Sequence, residues 1–277
     1  MSVSIRPPPA ETLPFLAEPL DAEGLRGHLS DMFPIRDHNP SGRTPYVTYA
    51  LIAINIVVFL YTIGLDDRGL NQFYFDYAMF PERVSQGQDL QGLFTSMFLH
   101  GSFMHLAGNM LFLWIFGDNL EDDMGHLPFT LFYLAGGIGA GLAQVISEPF
   151  GSIPTVGASG AIAAVMGGYL LLYPRAKVDI LLILIIFFRI FTIPAWIMLG
   201  LWFALQLVNG VNVDPETGGV AYWAHAGGFV IGFLLALPLW RRMGGTEYWS
   251  KTHGHPPHPE AEYRLSRSNV PSVRRRR

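Results

Sequence analysis

The sequence predicts an all-α membrane protein: a six-transmembrane-helix bundle with a long interfacial first loop and polar terminal tails. Three observations predict it. Of the 277 residues, 50% are hydrophobic and only 14% are charged, where a soluble domain carries roughly 25% charged residues. The apolar residues gather into uncharged runs of membrane-spanning length instead of amphipathic stripes. When those runs are threaded back and forth, the lysines and arginines of the short loops fall mostly on one side, as cytoplasmic loops do.

Residues 1–46 mix prolines, acids and scattered apolar residues. They hold no basic stretch feeding an apolar core of signal-peptide type, so they read as a cytoplasmic, partly disordered segment. Residues 47–64 (VTYALIAINIVVFLYTIG) form the first uncharged stretch near the length of a membrane crossing. The segment that follows, to residue 92, contains Asp66, Asp67, Arg68, Pro81, Glu82 and Arg83 and is too polar to span. Its Phe73, Tyr74, Phe75, Tyr77, Met79 and Phe80 suit the headgroup zone, where aromatic rings are favoured. Residues 103–120, 129–146 and 159–173 read as the second, third and fourth helices, and 222–240 as the sixth.

The fifth helix is harder to place, because residues 178–208 are mostly apolar yet broken by Arg189 and Pro194. Proline is tolerated in a first helical turn, so residues 194–208 (PAWIMLGLWFALQLV) are taken as the fifth helix. The stretch 178–193 then either lies at the membrane interface or extends helices four and five, beginning and ending on the inner side. With an internal N-terminus, the inner side receives Arg36, Arg43, Arg175, Lys177, Arg241 and Arg242, and the outer loops only Arg68 and Arg83. The protein is thus expected to be a multi-pass integral membrane protein, in the cytoplasmic membrane if bacterial, with both termini cytoplasmic. Its units are residues 1–46, the bundle 47–242 and a tail 243–277, which is rich in Pro, His, Ser and Arg and expected to be disordered.

Several function classes drop out. The chain has no cysteine, which excludes disulfides, thiolate catalysis and cysteine metal sites. Nucleic-acid binding has no support beyond Arg274 to Arg277. His253, His255 and His258 offer imidazoles for a metal, but a solvated polar tail is the simpler reading, so no metal is expected.

Polar side chains within membrane spans are costly and mark function. Four stand out: His105, Asn109, Ser159 and His225. Singly, each can be explained by bonding within its own helix or to a neighbour. Together they occupy the first turns of helices two, four and six, which all run in one direction, so they share one depth below the outer surface. That set suits acyl transfer. Serine is a poor nucleophile until a base takes its proton, and a neutral imidazole is the best-suited base near pH 7. The segment Gly157-Ala158-Ser159-Gly160 puts the hydroxyl where loop becomes helix, and the free N–H groups of that turn face any oxyanion formed there. His105 and Asn109 are four apart, hence on one helical face, and can donate to the same oxyanion. No Asp or Glu lies near that depth, so no third member of a triad is expected. Gly228 and Gly232 in helix six, and Gly137 and Gly141 in helix three, have the spacing of tight helix contacts.

These residues also resemble the rhomboid family of intramembrane serine proteases. The matching pieces are HGSFMHLAGN, from His100 through His105 to Asn109; Gly157-Ala-Ser159-Gly160; Ala224-His225-Ala-Gly-Gly228 with Gly232; and Glu121 with Gly125 after helix two. The resemblance covers about residues 47–240. It implies a rhomboid-like bundle with Ser159 as nucleophile and His225 as base. Oxyanion donors would be His105, Asn109 and the Ser159 backbone N–H, with His100 a structural histidine of the first loop that can also take a secondary role in water or oxyanion contacts. It implies transmembrane protein substrates whose helices unwind near small residues, membrane lipids as the surroundings, and no cofactor. Two positions depart from the family. Ala163 stands one turn after the nucleophile where some members carry an aromatic residue against the base, so another group must orient His225. The Trp-Arg pair of many first loops is replaced by Tyr77-Ala-Met-Phe-Pro81. The competing expectations are an inactive rhomboid-like binding protein and a transporter.

Overall fold

In hydrocarbon every backbone N–H and C=O must be satisfied within the segment itself, so long apolar runs fold as helices. The computed structural model describes residues 32–184, 187–212 and 219–261. The first spanning helix is α1 (Tyr46–Ile63), followed in the first loop by α2 (Asp67–Tyr77), α3 (Pro81–Ser85) and α4 (Gly92–Thr95). Then come α5 (Phe103–Met124), α6 (His126–Ser147), α7 (Ser159–Leu172), α8 (Ala195–Asn212), α9 (Tyr222–Arg242) and the short α10 (Thr246–Thr252). Among the described residues α1, α6, α8 and α9 are long and apolar enough to cross a membrane by length and composition.

The other two helices of the bundle depart from that standard for physical reasons. Helix α5 has the length but gathers Asp118, Glu121, Asp122 and Asp123 in its last turns. Helix α7 has 14 residues, hence about 21 Å of rise against roughly 30 Å of hydrocarbon. It can be short because protein encloses it. Every residue of α7 except Ser159 and Leu170 is buried, against α5, α6, α8 and α9. Gly160, its second residue, packs against Gly228, seventh in α9, and Ala140, seven residues before the end of α6, so the α7 N-terminus and Ser159 lie inside the bundle.

Close approach of α7 and α9 fixes their relative position. A Cβ on Gly228 would lie 2.2 Å from the Gly160 carbonyl oxygen, and one on Gly232 only 2.0 Å from that of Ala164. No side chain fits at either point. Gly160 itself faces Ala140 of α6, where a Cβ would come within 2.7 Å of the alanine methyl. Gly137 and Gly141 serve a different contact: they receive Met97 and Met79 of the first loop, which is how that loop seats on α6.

At the opposite end of the bundle from Ser159, Glu121 joins α5 to α1. Its buried carboxylate accepts hydrogen bonds from Val47 N, Thr48 N and Thr48 Oγ1, each at 2.8 Å, and lies 2.6 Å from His126 Nδ1. These are first-turn donors of α1 that its N-cap, Pro45, offers no side chain to satisfy. Gly125, at φ +81°, makes the sharp turn from α5 into α6.

A small sheet is added to the helical bundle. Residues 178–193 do not extend helices four and five as one alternative expected; they form a hairpin of β2 (Lys177–Leu184) and β3 (Phe187–Pro194). The strand β1 (Met32–Asp37) pairs antiparallel on the outer edge of β2. Branched and aromatic residues favour this pleated form over a helix, and Pro34 is accommodated at the edge beside a shift of register. Lys177 lies opposite Pro194, and Ala195 N donates to Ala176 O at 2.8 Å. The hairpin thus leaves α7 and re-enters α8 at one end of the bundle and crosses nothing. Asp179 anchors it, accepting from Arg36 Nε (2.6 Å) and Thr192 Oγ1 (2.6 Å) and meeting His38 Nε2 (3.0 Å). Burial alone would raise the Asp179 carboxyl, but bonds from Thr192, His38 and Arg36 outweigh it and hold the carboxyl below its usual range.

The tail also differs from its expected disorder, over residues 246–261. Helix α10 packs by Trp249, whose Nε1 donates to Leu171 O at 3.0 Å and whose ring meets Trp240. Beyond it, Lys177 pairs with Glu260 at 2.6 Å and Ala261 N donates to His38 O at 3.0 Å. Tyr248 and Trp249 supply the apolar anchor that a Pro- and His-rich composition conceals. Residues 1–31 and 262–277, including Arg274 to Arg277, lie outside the described residues.

Candidate active site

The site begins with a backbone constraint. Gly157 sits at φ +124°, and a Cβ there would lie 2.7 Å from His105 Nε2. Only glycine gives both that conformation and that closeness. The chain then enters α7, whose N-cap, Ala158, has no side chain to satisfy the first turn. The N–H groups around Ser159 consequently stay available at the helix N-terminus, where negative charge is favoured.

Ser159 Oγ lies 2.7 Å from His225 Nε2. The two side chains come from the first turns of α7 and α9, brought together by the Gly160–Gly228 and Ala164–Gly232 contacts. The N-terminal turn of α9 is fixed from another helix: Gln144 Oε1 of α6 accepts from Ala224 N at 3.0 Å, and Gln144 Nε2 donates to Glu148 Oε2 at 2.8 Å. A cavity of about 760 Å³ opens on the pair, and Ser159, His225, His105 and Asn109 all line it. At its other end it reaches Pro34 and Ile180 of the sheet.

His105 is placed by the α5 cap, where Ser102 Oγ accepts from His105 N at 3.1 Å. Asn109, one turn on, is buried, and its Nδ2 has no protein partner among the described residues. A buried donor facing a cavity is a group waiting for an acceptor. His100 is buried behind His105, with ring centroids 5.0 Å apart. Its own carbonyl accepts from Tyr74 Oη at 3.0 Å, tying the first loop to the site. Burial, with the nearby His105, pushes the His100 imidazole down to about 3, so it is neutral at any working pH. Within that loop, Met79 and Thr155 exchange backbone hydrogen bonds (3.1 and 2.8 Å), and Arg83 lies over the Phe75 and Phe80 rings. Glu121 and Gly125 are at the far end, where they hold the bundle and touch nothing in the cavity.

Two residues at the site were not singled out by sequence reasoning. Gln206 Oε1 lies 2.9 Å from His225 Nδ1. Trp202, one turn earlier on α8, covers the His225 ring with centroids 5.7 Å apart and planes at 30°. The signal was present, since Gln206 is a polar residue inside an apolar span. An amide is not among the usual third members of a catalytic set, so its polarity alone does not mark it.

The family model of the Rhomboid domain matches residues 87–242. The chain is 30% identical over 198 residues to Rhomboid protein 1, mitochondrial, of Saccharomyces cerevisiae, covering 68% of this chain and 51% of that protein. It is 32% identical over 196 residues to Rhomboid protease GluP of Bacillus subtilis, covering 70% and 35% respectively. It is also 33% identical over 165 residues to RHOMBOID-like protein 4 of Arabidopsis thaliana, covering 57% and 36%. The matched region is therefore about half or less of the length of these relatives.

Proposed function

The chain belongs to the rhomboid family, and from that premise we propose that it is a serine endopeptidase that hydrolyses peptide bonds in or near the transmembrane segments of other membrane proteins. The observation that carries the reading is the 2.7 Å contact between Ser159 Oγ and His225 Nε2 at the mouth of a cavity inside the bundle. In this reading His225 Nε2 takes the hydroxyl proton as Oγ attacks the scissile carbonyl. The resulting oxyanion meets donors from the Ser159 backbone N–H, His105 and Asn109, which strengthen as charge develops. His225 then passes its proton to the leaving amine, and the C–N bond breaks. Water, deprotonated by the same imidazole, hydrolyses the acyl-enzyme and restores Ser159.

The shortness of α7 matters for substrate class. Its N-terminus lies below the end of the surrounding helices, so a peptide bond reaches Ser159 only after its segment enters the bundle and opens its helical hydrogen bonds. We place the Ser159 end outward and the sheet, Arg241 and Arg242 on the cytoplasmic side, following the lysine and arginine distribution.

The test is incubation of purified protein with a panel of single-span membrane proteins, with cuts mapped by mass spectrometry. The wild type is expected to cleave some members inside or beside their spans. Ser159→Ala is expected to fall below a few per cent of that turnover. A folded wild type that binds the panel but cuts none would make the chain a binding protein instead.

A further inference from the structure

A dyad needs its imidazole held in one tautomer. The base accepts a proton only at a nitrogen that carries none, so Nε2 facing Ser159 must be bare and Nδ1 must hold the ring proton. Something has to accept from that Nδ1–H. No aromatic side chain one turn after the nucleophile can brace the ring here, because the position is Ala163.

We infer that Gln206 is the positioning residue of the dyad, accepting the His225 Nδ1 proton so that Nε2 is left bare toward Ser159. The inference rests on the serine-protease reading of the same site. Its geometry is set by both ends of one amide. Gln206 Nε2 donates to Trp202 O at 3.1 Å, within its own helix. That bond turns the carbonyl end, Oε1, toward His225 Nδ1 at 2.9 Å. Reversing the amide would break the first bond and set Oε1 against the Trp202 carbonyl oxygen. Trp202, from the same face of α8, lies over the imidazole and limits its tilt. One turn of α8 therefore fixes both the proton and the plane of the ring.

An amide in this place also suits the surroundings. Gln206 is buried within an apolar helix, where a carboxylate would carry a heavy desolvation cost. The amide supplies an acceptor without that charge. It stabilises the imidazolium formed during attack less than a carboxylate would. The other ionisable groups lining the cavity around His225 are His105 of α5, Glu148 just past α6, and Tyr222 of α9. None of them hydrogen-bonds to His225 Nδ1, whose partner is Gln206.

The experiment compares wild type, Gln206→Leu and Gln206→Glu in two readouts. In detergent, ¹⁵N-histidine spectra, with His225 assigned by its loss in His225→Asn, report the tautomer directly and need no turnover. Wild type is expected to show Nδ1 protonated and Nε2 bare, and Gln206→Leu to lose that preference. In the cleavage assay Gln206→Leu is expected to lower kcat roughly 10- to 100-fold with KM nearly unchanged. That is part of the 10²- to 10⁴-fold a positioned general base supplies. Gln206→Glu keeps an acceptor, so it should retain most of the turnover while moving the acid limb of the rate profile to higher pH. A merely structural glutamine would leave the tautomer preference of the Leu variant intact. Wild type with the proton on Nε2, or a Leu variant with unchanged spectrum and kcat, overturns the inference. A wild type with the stated tautomer that cleaves nothing overturns the protease reading instead and leaves the Gln206 contact standing.

Discussion

A serine hydroxyl and an imidazole do little chemistry until their lone pairs and protons are placed, and here each placement has a separate source. Ser159 is held by the α7 N-terminus, His225 by α9, and the Nδ1 side of the imidazole by Gln206 of α8. In the proposed mechanism α5 supplies side-chain donors to the oxyanion. Replacing Asn109 or His105 with alanine is expected to reduce kcat by about 10- to 1000-fold each, the range found when one such donor is lost. The loss should stay smaller than for Ser159→Ala, because the Ser159 backbone N–H remains. Steady-state kinetics on one cleavable substrate check this; a rise in KM with unchanged kcat would move both side chains from catalysis to binding. The four residues His105, Asn109, Ser159 and His225 were legible in the sequence because polar groups in apolar spans are conspicuous. Gln206 was equally visible but carries no charge and no usual catalytic role, and its use depends on a rotamer set by Trp202 O, which no spacing rule reveals.

At the level of elements, the helices were legible and the sheet was not. Periodicity cannot separate a buried helix from a buried strand in a short apolar run, and residues 178–193 are such a run. What decides is the partner: β1, in a segment expected to be partly disordered, supplies a pairing edge, and Asp179 gathers Arg36, His38 and Thr192. The tail was misread for the same reason, since its order comes from Trp249 meeting Leu171 and Trp240 across the fold. Because the hairpin returns to its own end, α8 and α9 alternate as the dyad requires, and orientation becomes a separate question. Asn212, at the end of α8, and Arg242, at the end of α9, are both exposed. In the cysteine-free chain, Asn212→Cys is expected to react with an impermeant thiol reagent on intact cells, and Arg242→Cys only after permeabilisation. The reverse pattern would turn the protein over in the membrane. Asp179 is unsuited to such labelling because it is buried in its ion pairs.

For the whole molecule, the bundle exists to hold one short helix. Helix α7 ends early, is enclosed by its neighbours and is met closely by α9 at Gly228 and Gly232, which in the proposed reading puts a hydrolytic site where lipid would otherwise exclude water. The helical bundle and the convergence of the four polar residues on one cavity followed from hydropathy and parity. The insulation of α7 did not, because a 14-residue apolar helix is defined by what surrounds it. The most direct measurement is covalent capture of the nucleophile by a fluorophosphonate, which reacts with an activated serine hydroxyl and hardly with an ordinary one. Mass spectrometry of the treated, folded protein is expected to find the adduct on Ser159 in the wild type and none in His225→Ala. No adduct in the wild type, an adduct on a different serine, or equally rapid reaction in His225→Ala would contradict a Ser159–His225 dyad.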